Sequence, residues 1–176
     1  TRGSATLAGV TDRPRVLLLG PGGLFEGGAN FGVPQILSIA GAVRGAGAEV
    51  TVVDLDCERA LGRIDLRALA GGYDLIGVSC YSSYDYLKVM AIGEQLRAAA
   101  PRAWMAVGGY HPSARPEDFS GMDSPYDHVI VGDGEGPMAR LAEALSSGKR
   151  PLQRVLGPSS SPGPGGYDWS LLSRYL

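Results

Sequence analysis

Short apolar runs alternate five times with helix-patterned segments along this chain, and that alternation restricts its fold more than any other feature. The first run, Val16–Leu19, is wholly apolar and lies between Pro14 and Gly20, the pattern of a strand buried on both faces. Ile36, Ile39, Ala40 and Val43 then recur at i, i+3, i+4 and i+7, one face of a helix, and Pro34 suits its first position. Gly45 and Gly47 end that helix, and Glu49–Val53 reads as the second strand. Residues 65–70 read as a short helix and Asp74–Cys80 as the third strand. Val89, Ile92, Gly93 and Leu96 mark the face of another helix, which ends before Pro101. Ala103–Val107 and His128–Val131 supply strands four and five, and Met138, Leu141, Ala142 and Leu145 the last amphipathic helix.

The alternation predicts an α/β fold: a doubly wound, Rossmann-like or flavodoxin-like five-stranded parallel sheet in the order 2-1-3-4-5. Ligands of such sheets bind at the carboxyl ends of the strands, near the switch between strands one and three. The chain divides into a flexible leader over 1–14, one domain over 15–148, and a Pro/Gly/Ser-rich linker over 149–176. Tyr167–Leu176 regains apolar residues, as a docking turn would. A formal net charge of −2, with scattered arginines and only Lys88 and Lys149 as lysines, argues against a nucleic-acid partner. No apolar run approaches the roughly 18 residues of a membrane-spanning helix, and the first residues lack a signal-peptide core. Cys57 and Cys80 form neither a disulfide framework nor a CxxC motif. A cytoplasmic protein without a membrane partner is expected.

Chemistry should therefore reside in the loops that follow strands one, three, four and five. Gly20 to Gly32 is a thirteen-residue loop whose glycines let backbone approach a large flat ligand. It is a poor dinucleotide fingerprint: Phe25 stands where GxGxxG needs its third glycine, and Asp54 follows Gly20 by 34 residues rather than about 20. A phosphoacceptor receiver is disfavoured too, since Gly20-Pro21-Gly22-Gly23 brings no acidic cluster. After strand three, Ser79, Tyr81, Ser82 and Ser83 offer hydrogen-bonding groups, and Ser82 or Ser83 also suits a helix cap. After strand four, Gly108 and Gly109 permit a tight turn, and a Cβ at either is expected to intrude on a ligand while sparing the fold. His111 reads foremost as a loop-orienting donor and His128 as structural. After strand five, Gly132-Asp133-Gly134-Glu135 leads into a helix, where Asp133 could cap and Glu135 could complement the dipole.

These residues resemble a known family. The stretch Pro34–Asp54, with Ser79-Cys80-Tyr81, Gly108-Gly109-Tyr110-His111-Pro112-Ser113 and Gly132-Asp133-Gly134-Glu135, is similar to the cobalamin-binding domains of radical SAM enzymes over about residues 15–146. The wider family carries DxHxxG after strand one, SxL after strand three and GG after strand four. Ser79-Cys80-Tyr81 has tyrosine in place of leucine, Gly108-Gly109 matches, and residues 21–34 contain no histidine. The resemblance thus implies cobalamin bound with its own base displaced and no protein imidazole on cobalt. It implies that the loop at Gly22, Gly23, Asn30, Phe31, Gly32 and Val33 lies under the corrin. Ser79, Tyr81, Ser82 and Ser83, with Gly108, Gly109, Tyr110, His111 and Pro112 and with Gly132, Asp133, Gly134 and Glu135, would line the slot for the nucleotide tail.

By the same resemblance, the segment at Tyr167-Asp168-Trp169-Ser170 precedes a radical SAM core in cis, beyond Leu176. S-adenosylmethionine and a [4Fe-4S] cluster would belong to that core, most often a methyltransferase, because no CxxxCxxC occurs here. No protein metal ligand and no catalytic residue is expected within this chain. A free-standing cobalamin carrier or sensor module is the alternative, and a flavodoxin-like nucleotide-binding domain stands third.

Overall fold

Six parallel strands form one sheet in the computed structural model, which describes residues 13–22, 33–63, 65–158 and 166–175. They are β1 (Arg15–Gly20), β2 (Glu49–Asp54), β3 (Leu75–Ser79), β4 (Trp104–Gly108), β5 (His128–Ile130) and β6 (Val155–Leu156), in the order 2-1-3-4-5-6. The five-strand order expected from the alternation is present, and one edge strand is added to it. Val155–Leu156 lies in the stretch read as linker, and two residues carry no periodicity to recognise. It joins the sheet because Val129 and Val131 donate their amides to the carbonyls of Arg154 and Leu156, at 2.7 and 2.9 Å.

The helices are α1 (Val33–Gly45), α2 (Leu55–Ala60), α3 (Leu66–Ala70), α4 (Tyr86–Ala99), α5 (Tyr110–Ala114) and α6 (Glu135–Ser147). Two of them go beyond the sequence reading. Asp54 ends β2 and at once caps α2, its carboxylate accepting from the amides of Asp56 and Cys57 at 2.9 and 3.3 Å. The segment read as a loop after β4 instead winds into the single turn of α5. No described helix is long and apolar enough to cross a membrane.

Alternation along the strands gives the sheet two unlike faces. On one, Leu17, Leu19, Ile76, Val78, Met105 and Val107 pack against α3 and α4, and Phe119 and Tyr126 fill the remaining space. Tyr126 is seated by its hydroxyl, which donates to the Val89 carbonyl at 2.6 Å, and Gly93 leaves room for its ring. On the other face, Val16, Leu18, Leu75, Ala106 and Ile130 meet Ile36, Leu37, Ala40 and Val43 of α1 and Met138 and Leu141 of α6. The chain then returns through a 3₁₀ helix, Trp169–Tyr175. Arg44 pairs with Asp168, Leu171 and Leu172 pack beside the second core, and the Tyr175 hydroxyl accepts from the Asp54 amide at 2.9 Å.

Candidate cofactor-binding site

The register of the central strands creates a trough. Gly77 of β3 lies beside Ala106 of β4, and Ser79 beside Gly108, all on the face covered by α1 and α6. Four small residues in two adjacent rows cannot reach the helices above them. A cavity of about 320 Å³ results, floored by this trough, roofed by Ile36 and Ile39 of α1 and Met138 of α6, and open at the carboxyl edge. That size falls within the range of about 300–1,000 Å³ usual for small-molecule pockets.

Glycine geometry shows which positions hold the space open. A Cβ on Gly77 would stand 3.0 Å from the ends of the Leu18 and Met138 side chains, which can yield. Gly109 is different. Its φ is +115°, and a Cβ there would stand 2.5 Å from the Cys80 carbonyl oxygen, which is backbone and cannot yield. A Cβ on Gly108 would meet Ile130 at 3.2 Å. The expectation that side chains at 108 and 109 spare the fold is therefore corrected for Gly109, whose bareness serves the turn itself.

At the mouth, the loops after β4 and β5 are tied together. The Ser113 hydroxyl donates to the Gly109 carbonyl at 2.7 Å and accepts from the Gly132 amide at 3.0 Å. Across the opening, Ser38 of α1 donates to the Glu135 carboxylate at 2.6 Å, linking the two roof helices. Tyr81 and Tyr110, both largely exposed, meet edge to face at 5.0 Å and form an aromatic ledge beside the entrance. Ser79 lines the cavity, and its hydroxyl makes no hydrogen bond among the described residues.

The residues singled out from the sequence fall into three groups. Ser79, Tyr81, Gly108, Gly109, Tyr110, Gly132, Asp133, Gly134 and Glu135 all line the cavity. Gly22, Ser82, Ser83, His111 and Pro112 do not. Gly22 accepts from Lys88 at 3.4 Å, and Ser82 caps the 3₁₀ turn Ser83–Asp85 through the Tyr84 amide at 3.3 Å. His111 is 7% exposed, packed between Tyr86 and Phe119, with Nε2 2.9 Å from the Asp118 carboxylate. This bond ties α5 to the 3₁₀ turn Pro116–Asp118 that follows it. Gly23, Asn30, Phe31 and Gly32, with the side chain of Val33, lie outside the described residues. Asp133 is not the cap of α6; Gly134 occupies that position without a side-chain bond.

Gly77, Ala106, Ile39 and Met138 line the cavity but read from the sequence only as parts of strands and helix faces. The glycine interrupting Leu75-Ile76-Gly77-Val78 was the available signal, since a strand glycine often marks a close approach.

Neither cysteine is disposed to ionise. Burial and the nearby Asp85 push the Cys80 thiol up to about 12, against a smaller opposing effect of Lys88. Burial, with Asp54, Asp56 and Glu58 around it, also raises Cys57. Among the described residues, no group of three His, Cys, Asp or Glu side chains could hold a metal ion.

The domain is thus a parallel α/β fold with a slot between the sheet and two roof helices, open at the carboxyl edge. Residues 32–142 match the B12 binding domain, and the chain belongs to that family. It is similar in structure to the radical S-adenosylmethionine methyltransferase TsrM from Kitasatospora setae with tryptophan substrate and a SAM analogue bound. The TM-score is 0.63 at 21% identity, covering 77% of this chain and 26% of TsrM. It is also similar to the cobalamin-dependent S-adenosylmethionine radical enzyme OxsB with aqua-cobalamin bound. There the TM-score is 0.66 at 17% identity, covering 94% of this chain and 26% of OxsB. The chain thus spans about a quarter of the length of these proteins, and at such identities the likeness is one of fold. No curated protein matches the chain.

Proposed function

We propose that this chain binds cobalamin as the cofactor module of a radical SAM enzyme, a methyltransferase, whose core follows Leu176. The nucleotide tail enters the slot above Gly77 and Ala106, and the corrin rests at the carboxyl edge. The observation that carries this reading is the trough: small residues paired across β3 and β4 keep open a space that ordinary core packing fills. Family membership and the fold of TsrM and OxsB support it.

Bound cobalamin supplies a cobalt that can accept and deliver a methyl group. The chain's own residues bind and orient. Ser79 and the mouth residues from Gly132 to Glu135 offer polar contacts to the ribose and phosphate, and the Tyr81–Tyr110 ledge supports the corrin rim. The chain has two histidines, and each has other work. His111 is bonded to Asp118 within an aromatic cluster, and His128 lies at the start of β5, the end of the strand away from the mouth. These engagements support cobalamin bound with no imidazole from the protein, and a nucleotide tail held in the slot would keep its own base off the cobalt. S-adenosylmethionine and the iron–sulfur cluster belong to the core in cis.

Reconstitution with cobalamin tests the reading. The purified chain is expected to retain one equivalent, seen in its absorbance. The paramagnetic resonance spectrum of its cob(II)alamin form is expected to lack nitrogen superhyperfine splitting from an axial base. Ala106→Leu, which fills the trough from its floor, should weaken binding at least tenfold, about 1.4 kcal/mol, while leaving the melting temperature unchanged or raised. Unchanged affinity in that variant would place the tail elsewhere.

A further inference from the structure

We infer that the slot selects among corrinoids by their lower base, accepting apolar rings such as benzimidazoles and phenols and disfavouring purines. This rests on the cobalamin reading above and adds to it which members of the ligand class fit.

The depth of the slot offers no hydrogen bond. Its walls are Leu18, Ile39, Ala106, Ile130 and Met138 around the bare floor at Gly77. The backbone there is already paired. β3 lies between β1 and β4, and β4 between β3 and β5, so the amides and carbonyls of the floor are used in the sheet ladder. Polar side chains occur only towards the mouth, and two of them are engaged: Ser113 with Gly109 and Gly132, and Glu135 with Ser38.

A purine carried to this depth brings ring nitrogens and an exocyclic amine into contact with aliphatic side chains. Polar groups taken from water without a new partner lose the hydrogen bonds that water gave them. A dimethylbenzimidazole or a cresol instead gains from burying methyl groups against the same walls. Met138 is suited to such a wall, because an unbranched thioether adapts to rings of differing outline.

Titration of the full chain with four corrinoids tests the inference: cobalamin, a p-cresol-based cobamide, an adenine-based cobamide, and cobinamide, which lacks the nucleotide. Affinity is read from the corrinoid absorbance and from calorimetry. The cresol- and adenine-based forms make the decisive pair, because neither holds its base firmly on cobalt. The adenine form is expected to bind at least tenfold more weakly than the cresol form. Met138→Gln, which sets an amide into the deep wall at similar volume, should narrow that gap at least threefold. If that variant fails to fold, Ala106→Ser makes the same test from the floor.

Equal binding of the cresol and adenine forms, or a gap that both variants leave unchanged, overturns the selectivity while leaving cobalamin binding intact. Cobinamide binding as tightly as cobalamin removes the tail from the slot and overturns the inference with it. Failure of all four to bind overturns the cobalamin reading itself.

Discussion

His128 is buried at the start of β5. Its Nδ1 donates to the Gln153 carbonyl at 3.1 Å, while Nε2 is buried without a partner. Burial lowers its pKa below the usual 6.5. Arg150 and Arg154 act in the same direction, and the Gln153 bond and Asp127 oppose them. With the folded value depressed, the unfolded chain binds the proton more readily. Stability is therefore complete above about pH 6.5 and falls as the pH drops through that value towards the folded one. Denaturant midpoints between pH 7.5 and 5.5 should fall more steeply for the wild type than for His128→Asn. The difference should be about 1.4 kcal/mol for each unit of depression. Parallel slopes would show that the imidazole does not titrate in folding. Asp127 does not interfere in this window. Burial acts to raise its pKa, but the Met105 amide with Arg97 and Arg150 outweighs it and holds the carboxylate below its ordinary range. The two glycines differ in the same measurable way. Gly109→Ala should cost about 1–3 kcal/mol of stability, the usual scale of local backbone strain. Gly77→Ala should alter thermal melts little and act instead on corrinoid affinity.

Among the elements, those with periodic patterns were legible. The five principal strands, α1, α4 and α6 follow from apolar spacing, and the edge order from the alternation. What escaped was short: α2 begins on a cap, α5 is one turn long, and β6 has two residues. The first two are closed by local hydrogen bonds that no apolar spacing announces, and β6 by tertiary bonds to β5 and the residue after it. The site shows the same division. The carboxyl-edge loops announced themselves through Gly108-Gly109 and Gly132–Glu135, whereas the trough depends on register, which no single strand encodes. The 3₁₀ helix at the end is held by a buried carboxylate: Glu58, 1% exposed, lies 2.7 Å from Arg174 and 3.7 Å from Arg63. Arg174→Ala strips the nearer partner. The loss should approach, without exceeding, the about 3–5 kcal/mol typical of a broken buried pair, since Arg63 remains. Adding Glu58→Gln should recover part of it in a double-mutant cycle. Additive effects would mean that the two residues do not interact in solution.

Taken as a whole, the described residues hold a ligand slot, and among them no group of three His, Cys, Asp or Glu side chains could hold a metal ion. A radical SAM cluster requires three cysteine thiolates, and the chain has two cysteines, both with raised pKa values. Incubated with cobalamin, S-adenosylmethionine and a strong reductant, it should yield no 5′-deoxyadenosine above a protein-free control; catalytic amounts would reveal an unrecognised centre. The sheet's two borders have a further consequence. One ends in the two-residue β6, and at the other Tyr175 occupies the last amide of β2, with Leu171 and Leu172 packed nearby. An open border six residues long is a template on which other chains can pair. The returning 3₁₀ helix should therefore act as a solubility device. A version of the chain shortened before Gly166 is expected to scatter light sooner on heating and at lower concentration, even where its cofactor affinity is unchanged. Colloidal behaviour of this domain would then be set at β2, on the side of the sheet opposite β6.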